Sequence, residues 1–312
     1  MFIDISVLND PKIMTMNKKL ALSVAPTGVF FTKVHNPNQP LTLDDIAREA
    51  IAGYHKGARI FHAHARDEKG NPTRDGKTVV KLMKTVLQEC PDFVTCNCVI
   101  AHPTATGVEM MKPFVEPLLE ADPKYIQTVV IQPFTAAVKI DAPRVVTKEI
   151  LQEMIIYLQE RNIVPEFQIH SFASIKNVEE WLIKPGILRK PYVINLIVGY
   201  HGPGFASASQ PDPWGHIDLF TRLATIPIKE DIVIGACMGG RNWLPLAVSA
   251  MMSGVDTLRI GLEDAVWMYP FSDEPAKFSG EMVRKMRVIG EELGRPLASA
   301  EDIRKLYGIR NF

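Results

Sequence analysis

The sequence predicts a (β/α)8 barrel of the TIM type, and three observations predict it. Short apolar runs rich in β-branched residues alternate with longer segments of helical period, the pattern of parallel βαβ units. The apolar runs number eight, the count that closes such a barrel. No internal repeat, low-complexity tract or Pro/Ser-rich linker divides the series, which favours one barrel over two domains. A chain of 312 residues, 46% hydrophobic and 22% charged, has the length and apolar content for a core of that size.

In chain order the expected strands are Leu20 to Ala25, Ala58 to Ala63, Phe93 to Ile100, Tyr125 to Ile131, Val164 to Ile169, Tyr192 to Val198, Asp231 to Ala236 and Thr257 to Leu262. Amphipathic helices are expected over Leu43 to His55, Thr78 to Glu89, Lys148 to Glu160, Trp214 to Ala224 and Trp243 to Met252, where apolar residues recur three and four apart. Thr42 with Asp45 approximates a capping box, and Thr147 caps the helix that begins at Lys148. Glu274 to Leu293 supplies the last barrel helix and Ser299 to Tyr307 a short extra one. Residues 1–17 form an N-terminal extension that packs either across the barrel floor or on a neighbouring subunit, and 18–312 form the catalytic barrel.

Composition narrows the function classes. Thirty-five basic residues balance thirty-five acidic ones, so no net field recruits nucleic acid or an anionic membrane. The longest weakly polar stretch, Leu244 to Val255, is interrupted by Pro245, Ser249, Ser253 and Gly254 and is too short to span a bilayer. Met1 to Lys12 lacks the basic start and apolar core of a secretory signal, which makes the cytoplasm the expected location. Cys90, Cys96, Cys98 and Cys237 show no Cys-x-x-Cys spacing and read as free, buried thiols.

Barrel enzymes place their chemistry at the C-terminal ends of the strands, so polar residues there carry extra weight. The second strand ends in His62-Ala63-His64, and a period of two turns both imidazoles to one side, where they can share a metal. The eighth ends in Arg259-Ile260-Gly261-Leu262-Glu263-Asp264. Because strand eight adjoins strand one and strand one adjoins strand two, Glu263 can lean toward the histidines and complete a two-His, one-carboxylate site. Zinc is the default ion, and iron(II) uses the same ligand types. A salt-bridge network closing the barrel is the structural alternative for Arg259, Glu263 and Asp264. His102, His170 and His201 end strands three, five and six, where outer hydrogen-bonding roles compete with metal or substrate contact. Gly239-Gly240-Arg241 after strand seven offers backbone N–H groups and a guanidinium to an anion, with a steric glycine turn as the alternative.

In combination and order, several segments resemble the β-keto acid cleavage enzyme family from about Leu20 to about Tyr307. They are Ala25-Pro26-Thr27-Gly28 with Thr32-Lys33, Asp45 through Ala50, Gly57-Ala58, His62 through Asp67, Gly70-Asn71-Pro72-Thr73, Gly240-Arg241 and Arg259 through Asp264. The resemblance implies a (β/α)8 barrel with zinc on His62, His64 and Glu263, and with Arg259 and Asp264 as catalytic residues. It implies a reaction of a small β-keto acid with acetyl-CoA that yields acetoacetate and a new acyl-CoA, no redox cofactor, and a homo-oligomer, dimer or tetramer.

Departures from the family pattern bear on the substrate. The lysine-fermentation member carries a glutamate two residues past the first-strand glycine to meet an amino group, and here that position is Phe30. A neutral or apolar β-substituent is therefore expected, with a cation against the ring or simple packing as alternatives. Of the family's carboxylate-holding loop after strand three, only Thr104 survives in Ala101-His102-Pro103-Thr104-Ala105-Thr106. The strand-four loop, Gln132-Pro133-Phe134-Thr135, also lacks the small polar pattern, so the pocket is changed on at least two sides. Thr104, Phe30, Gly240 and Arg241 are the expected substrate-binding residues. The rival enzyme reading is a metal-dependent amidohydrolase, which would recruit His170, His201 and Asp264 around two metals; a barrel that has lost catalysis is the rival outside enzymes.

Overall fold

The computed structural model of the chain describes residues 11–99, 107–133, 136–139, 142–144, 146–199 and 214–310. The eight apolar runs form β1 (Ala21–Val24), β2 (Ile60–Ala63), β3 (Val94–Cys98), β4 (Thr128–Ile131), β5 (Val164–Ile169), β6 (Tyr192–Val198), β7 (Ile232–Met238) and β8 (Thr257–Ile260). All pair in parallel and close on themselves, β8 lying beside β1 with Ser23 opposite Arg259 and β1 beside β2 with Ser23 opposite Ile60. This is the (β/α)8 barrel that the alternation of apolar runs and helical segments predicts.

The helices are α1 (Leu43–His55), α2 (Gly76–Glu89), α3 (Gly107–Ala121), α4 (Lys148–Glu160), α5 (Phe172–Val178), α6 (Trp214–Thr225), α7 (Trp243–Met252), α8 (Ser279–Glu292) and α9 (Ala300–Tyr307). Capping sets several starts: the Thr42 hydroxyl accepts from the Asp45 amide at 3.2 Å, Thr147 from Ile150, and Ser299 and Asp302 form a full capping box.

Several stretches differ from the sequence expectation. α3 and α5 are helices that it does not include; α3 contains Pro113 and Pro117, which lack the amide donor, and its buried Met110, Met111, Phe114, Val115 and Leu118 provide the packing that holds it. α8 begins at Ser279 rather than Glu274. Residues before it double back in an extended ladder, with Met268 N–H bonded to the Glu274 carbonyl and Ala276 N–H to that of Val266, and Pro275 disfavours helix at the residue it follows. A two-stranded antiparallel ribbon, Ala136–Lys139 with Ala142–Arg144, sits outside the barrel sheet.

Strand parity divides the interior into two layers. Outward residues such as Leu22, Val24, Phe61 and Ala63 pack against the helices in the main core. Inward residues Ala21, Ile60, Val94, Val130, Val193 and Val233 fill the lower barrel, closed from beneath by Ala298, Ile303 and Tyr307 around α9. Thr15 packs against Gly254, and Lys18 pairs with Asp256 at 3.1 Å, so the chain just before β1 lies on the same floor. Above the apolar floor the inward positions turn polar: Ser23, His62, Cys96, Glu166, Gln168, Asn195, Thr257 and Arg259 are all buried or half-buried around a cavity of ≈ 20 Å3, space for about one water. A barrel interior is ordinarily filled by branched apolar side chains, so this polar layer marks the functional end. Among the described residues no helix is long and apolar enough to cross a membrane.

Candidate metal centre

His62 and His64 leave β2 on the inward face and reach the mouth together, both buried. Glu263 reaches them from the loop after β8. Gly261 brings that loop against β1, since a Cβ there would lie 2.0 Å from the Ala25 carbonyl oxygen. The close approach lets Glu263 N–H donate to the Ala25 carbonyl at 3.1 Å, fixing the residue above β1. Its side chain then crosses Gly28, where a Cβ would fall 2.6 Å from Glu263 Cγ, so this position needs glycine for Glu263 to lie flat across the mouth.

The result is a compact set of donors. His62 Nε2 is 3.3 Å from Glu263 Oε2 and His64 Nε2 is 3.4 Å from Oε1. Ligand atoms of the three residues lie within 4.8 Å of one another, and they form the only such cluster of His, Cys, Asp and Glu among the described residues. Among those residues Glu263 Oε2 and His64 Nδ1 are buried without a hydrogen-bond partner. Two imidazoles and a carboxylate converging this closely, with an orphaned carboxylate oxygen, fit a divalent cation with an open coordination position. No metal is part of this structure.

Charge in the metal-free site follows from burial and contact. Burial opposes the negative charge of Glu263, but Arg259, His62 and His64 outweigh it and hold the carboxyl well below its usual range. Burial also opposes charge on His64, yet Glu263 overrides it and pushes the imidazole up to about 10. His62 goes the other way: burial, aided by Arg259, keeps it below the usual imidazole range despite Glu263.

Arg259, inward on β8, joins the metal cluster to the second carboxylate. Its Nε and Nη2 donate to the two oxygens of Asp264 at 3.1 and 2.7 Å, a bidentate grip on a carboxylate with 0% exposure. The same guanidinium reaches His62 Nε2 at 3.0 Å, Glu263 Oε1 at 3.4 Å and Cys237 Sγ at 3.0 Å. Five of the residues singled out from the sequence, His62, His64, Arg259, Glu263 and Asp264, therefore meet at one point.

The other candidates are placed differently. Phe30 lies at the mouth, two residues past Gly28, and is 55% exposed. Arg66 ties down its loop, donating to the carbonyls of Gly28 at 2.6 Å, Phe31 at 2.8 Å and Gly70 at 2.9 Å. Gly240 takes a positive φ with the Gly199 carbonyl oxygen 2.3 Å from a would-be Cβ, and its N–H donates to the Asp264 carbonyl. That is the steric turn. The Arg241 guanidinium lies 4.0 Å over the Trp267 ring and donates to the Ser272 carbonyl at 2.7 Å and Asp273 at 2.8 Å, bracing the loop after β8. His170 ends β5 outside the metal cluster, where burial, then Arg222 and Arg259, lower it to about 3. His102, Thr104 and His201 lie outside the described residues, as do Phe134 and Thr135.

Six contributors to the polar layer were not singled out as site residues from the sequence: Ser23, Cys96, Glu166, Gln168, Asn195 and Thr257. Glu166 has a readable signal, an ionisable residue at an inward position of the strand Val164–Ile169. Cys96 has none, because its place beside His62 depends on strand register.

The model of the beta-keto acid cleavage enzyme family matches residues 19–309. The 3-keto-5-aminohexanoate cleavage enzyme of Acetoanaerobium sticklandii is 29% identical over 299 residues, covering 94% of this chain and 99% of that protein. The 3,5-dioxohexanoate:acetyl-CoA acetone transferase of Paraburkholderia graminis is 25% identical over 315 residues, covering 95% and 98%. Among solved structures, ObcA in binary complex with oxaloacetate superposes with a TM-score of 0.68 at 16% identity, covering 88% of this chain and 68% of that one, a likeness of fold. With the match running from before β1 to beyond α9, the chain belongs to the β-keto acid cleavage enzyme family.

Proposed function

We propose that the protein is a zinc-dependent acyltransferase that converts a β-keto acid and acetyl-CoA into acetoacetate and a new acyl-CoA, and that its substrate carries no amino group. The observation that carries this reading is the meeting of His62, His64 and Glu263 with the Arg259–Asp264 pair, in a chain of this family. When bound by the three ligands, zinc supplies Lewis acidity toward the keto and carboxylate oxygens of the substrate.

The chain's own residues do the rest. Asp264 takes the C2 proton through a water. Each of its oxygens accepts from an Arg259 donor, which holds the carboxylate in place for that transfer. The C2 carbanion adds to the acetyl carbonyl and the CoA thiolate leaves. The thiolate then adds to the former β-carbonyl, the bond from that carbon to C2 breaks, and the acetoacetate enolate takes back the proton from Asp264. Arg259 places a fixed positive charge beside Asp264 and Glu263, close to where the oxyanions develop, and being preorganised it costs little reorganisation.

Selectivity falls to the loop after β1. Phe30 offers no charge to an ammonium group, and the relatives include one named for a keto-amino acid and one named for a dioxo acid. Replacing Phe30 with Glu is expected to shift kcat/KM toward amino-bearing keto acids by about twofold to fivefold, the scale of one partly exposed charge pair. Competition between paired substrates reads the ratio, and an unchanged ratio would remove Phe30 from the selectivity account. The test of the function is mass spectrometry of zinc-loaded protein with acetyl-CoA and a panel of neutral, cationic and anionic β-keto acids. Acetoacetate and a matching acyl-CoA from neutral members are expected; product from the amino-bearing members alone would overturn the substrate assignment.

A further inference from the structure

We propose that Cys96 is a positioning residue for His62, its sulfur holding the imidazole through Nδ1. The inference rests on the metal reading above and extends it to residues that touch no substrate.

Register sets the pair. His62 on β2 stands directly opposite Cys96 on β3, both inward, and His62 Nδ1 lies 3.3 Å from Cys96 Sγ. The direction of that hydrogen bond follows from the other side of the ring. Arg259 Nη1 is 3.0 Å from His62 Nε2, and a guanidinium can only donate. Glu263 Oε2 stands 3.3 Å from the same nitrogen and could accept from it, but the Arg259 contact is the shorter. We therefore assign Nε2 its lone pair and Nδ1 the ring proton, which Nδ1 donates to the Cys96 sulfur.

Cys96 and Glu166 line the same buried cavity, where Glu166 accepts from the Thr128 hydroxyl on one oxygen and from Asn195 Nδ2 at 2.8 Å on the other. Cys96 is only 3% exposed, so water does not compete for its sulfur. The sulfur thus holds the ring with Nε2 toward Glu263 and His64, and it is through such outer hydrogen bonds that a metal-binding histidine is oriented.

The test compares wild type with Cys96→Val, which fills the space without an acceptor, and Cys96→Ser, which keeps one. Zinc affinity is measured by chelator competition, and the His62 tautomer of the zinc-free wild type by 15N NMR. Expected are the Nδ1–H tautomer, a zinc dissociation constant raised about tenfold to a hundredfold in Cys96→Val, and one within about threefold of wild type in Cys96→Ser. Wild-type affinity in Cys96→Val, equal loss in Cys96→Ser, or an Nε2–H tautomer would each overturn the proposal. Should Cys96→Val fail to fold, the serine variant and the tautomer decide it. A wild type without zinc affinity would sink the metal reading instead, and the tautomer would still judge Cys96.

Discussion

Asp264→Asn lowers kcat by about a thousandfold while zinc stays bound, the scale expected when a general base is removed. Asp264 has 0% exposure and both of its oxygens in the grip of Arg259, and it stands apart from the His62, His64 and Glu263 cluster. Asparagine keeps the shape and one acceptor but cannot take the C2 proton. It also removes the bidentate counter-charge of Arg259, which leaves the carboxylate of Glu263, 3.4 Å from Nη2, to draw the guanidinium toward the metal ligands and off its station. Turnover measured beside zinc content and a melting curve separates these effects. Zinc loss equal to that of a ligand variant, or turnover within about tenfold of wild type, would take the base role from Asp264.

Glu263→Gln acts on the metal instead. The substitution removes the one negative charge among the three ligands and leaves two imidazoles and an amide, so zinc affinity is expected to fall by at least about a hundredfold. Activity at limiting zinc falls with it and returns in part with excess metal. Chelation of the wild type should abolish turnover reversibly. Zinc binding should also depend on pH. In the metal-free site Glu263 pushes His64 up to about 10, against the effect of burial, so the ring carries a proton at neutral pH that zinc must displace. Below that pKa, the dissociation constant of zinc is expected to fall by about tenfold for each unit the pH rises, one displaced proton per ion. A pH-independent affinity between neutrality and pH 9 would contradict either the raised pKa of His64 or its place among the ligands.

Much of this site is legible in the sequence because its two halves obey rules that need no coordinates. Strand periodicity alone turns His62 and His64 to one side, and barrel closure brings the end of β8 beside β1 and β2. What stays hidden depends on register and on side-chain direction. Cys96 reads as an inert buried thiol until its pairing opposite His62 is known. Arg241 reads as an anion binder at a helix start, yet its guanidinium turns to Trp267, Ser272 and Asp273. α3 is obscured by Pro113 and Pro117, where burial of one apolar face overrides local propensity. Glu274 to Phe278 belongs by composition to the following helix, but the ladder to Val266–Met268 holds it extended.

The central claim is that the acetyl group of acetyl-CoA leaves in acetoacetate while CoA moves to the acyl part of the keto acid. Incubating the zinc-loaded protein with acetyl-CoA labelled with 13C at both acetyl carbons and a neutral β-keto acid tests it directly. The account predicts acetoacetate labelled at C3 and C4 and an acyl-CoA whose acyl group is unlabelled. Label remaining in acetyl-CoA while the substrate is hydrolysed, or label entering the acyl-CoA product, would contradict it.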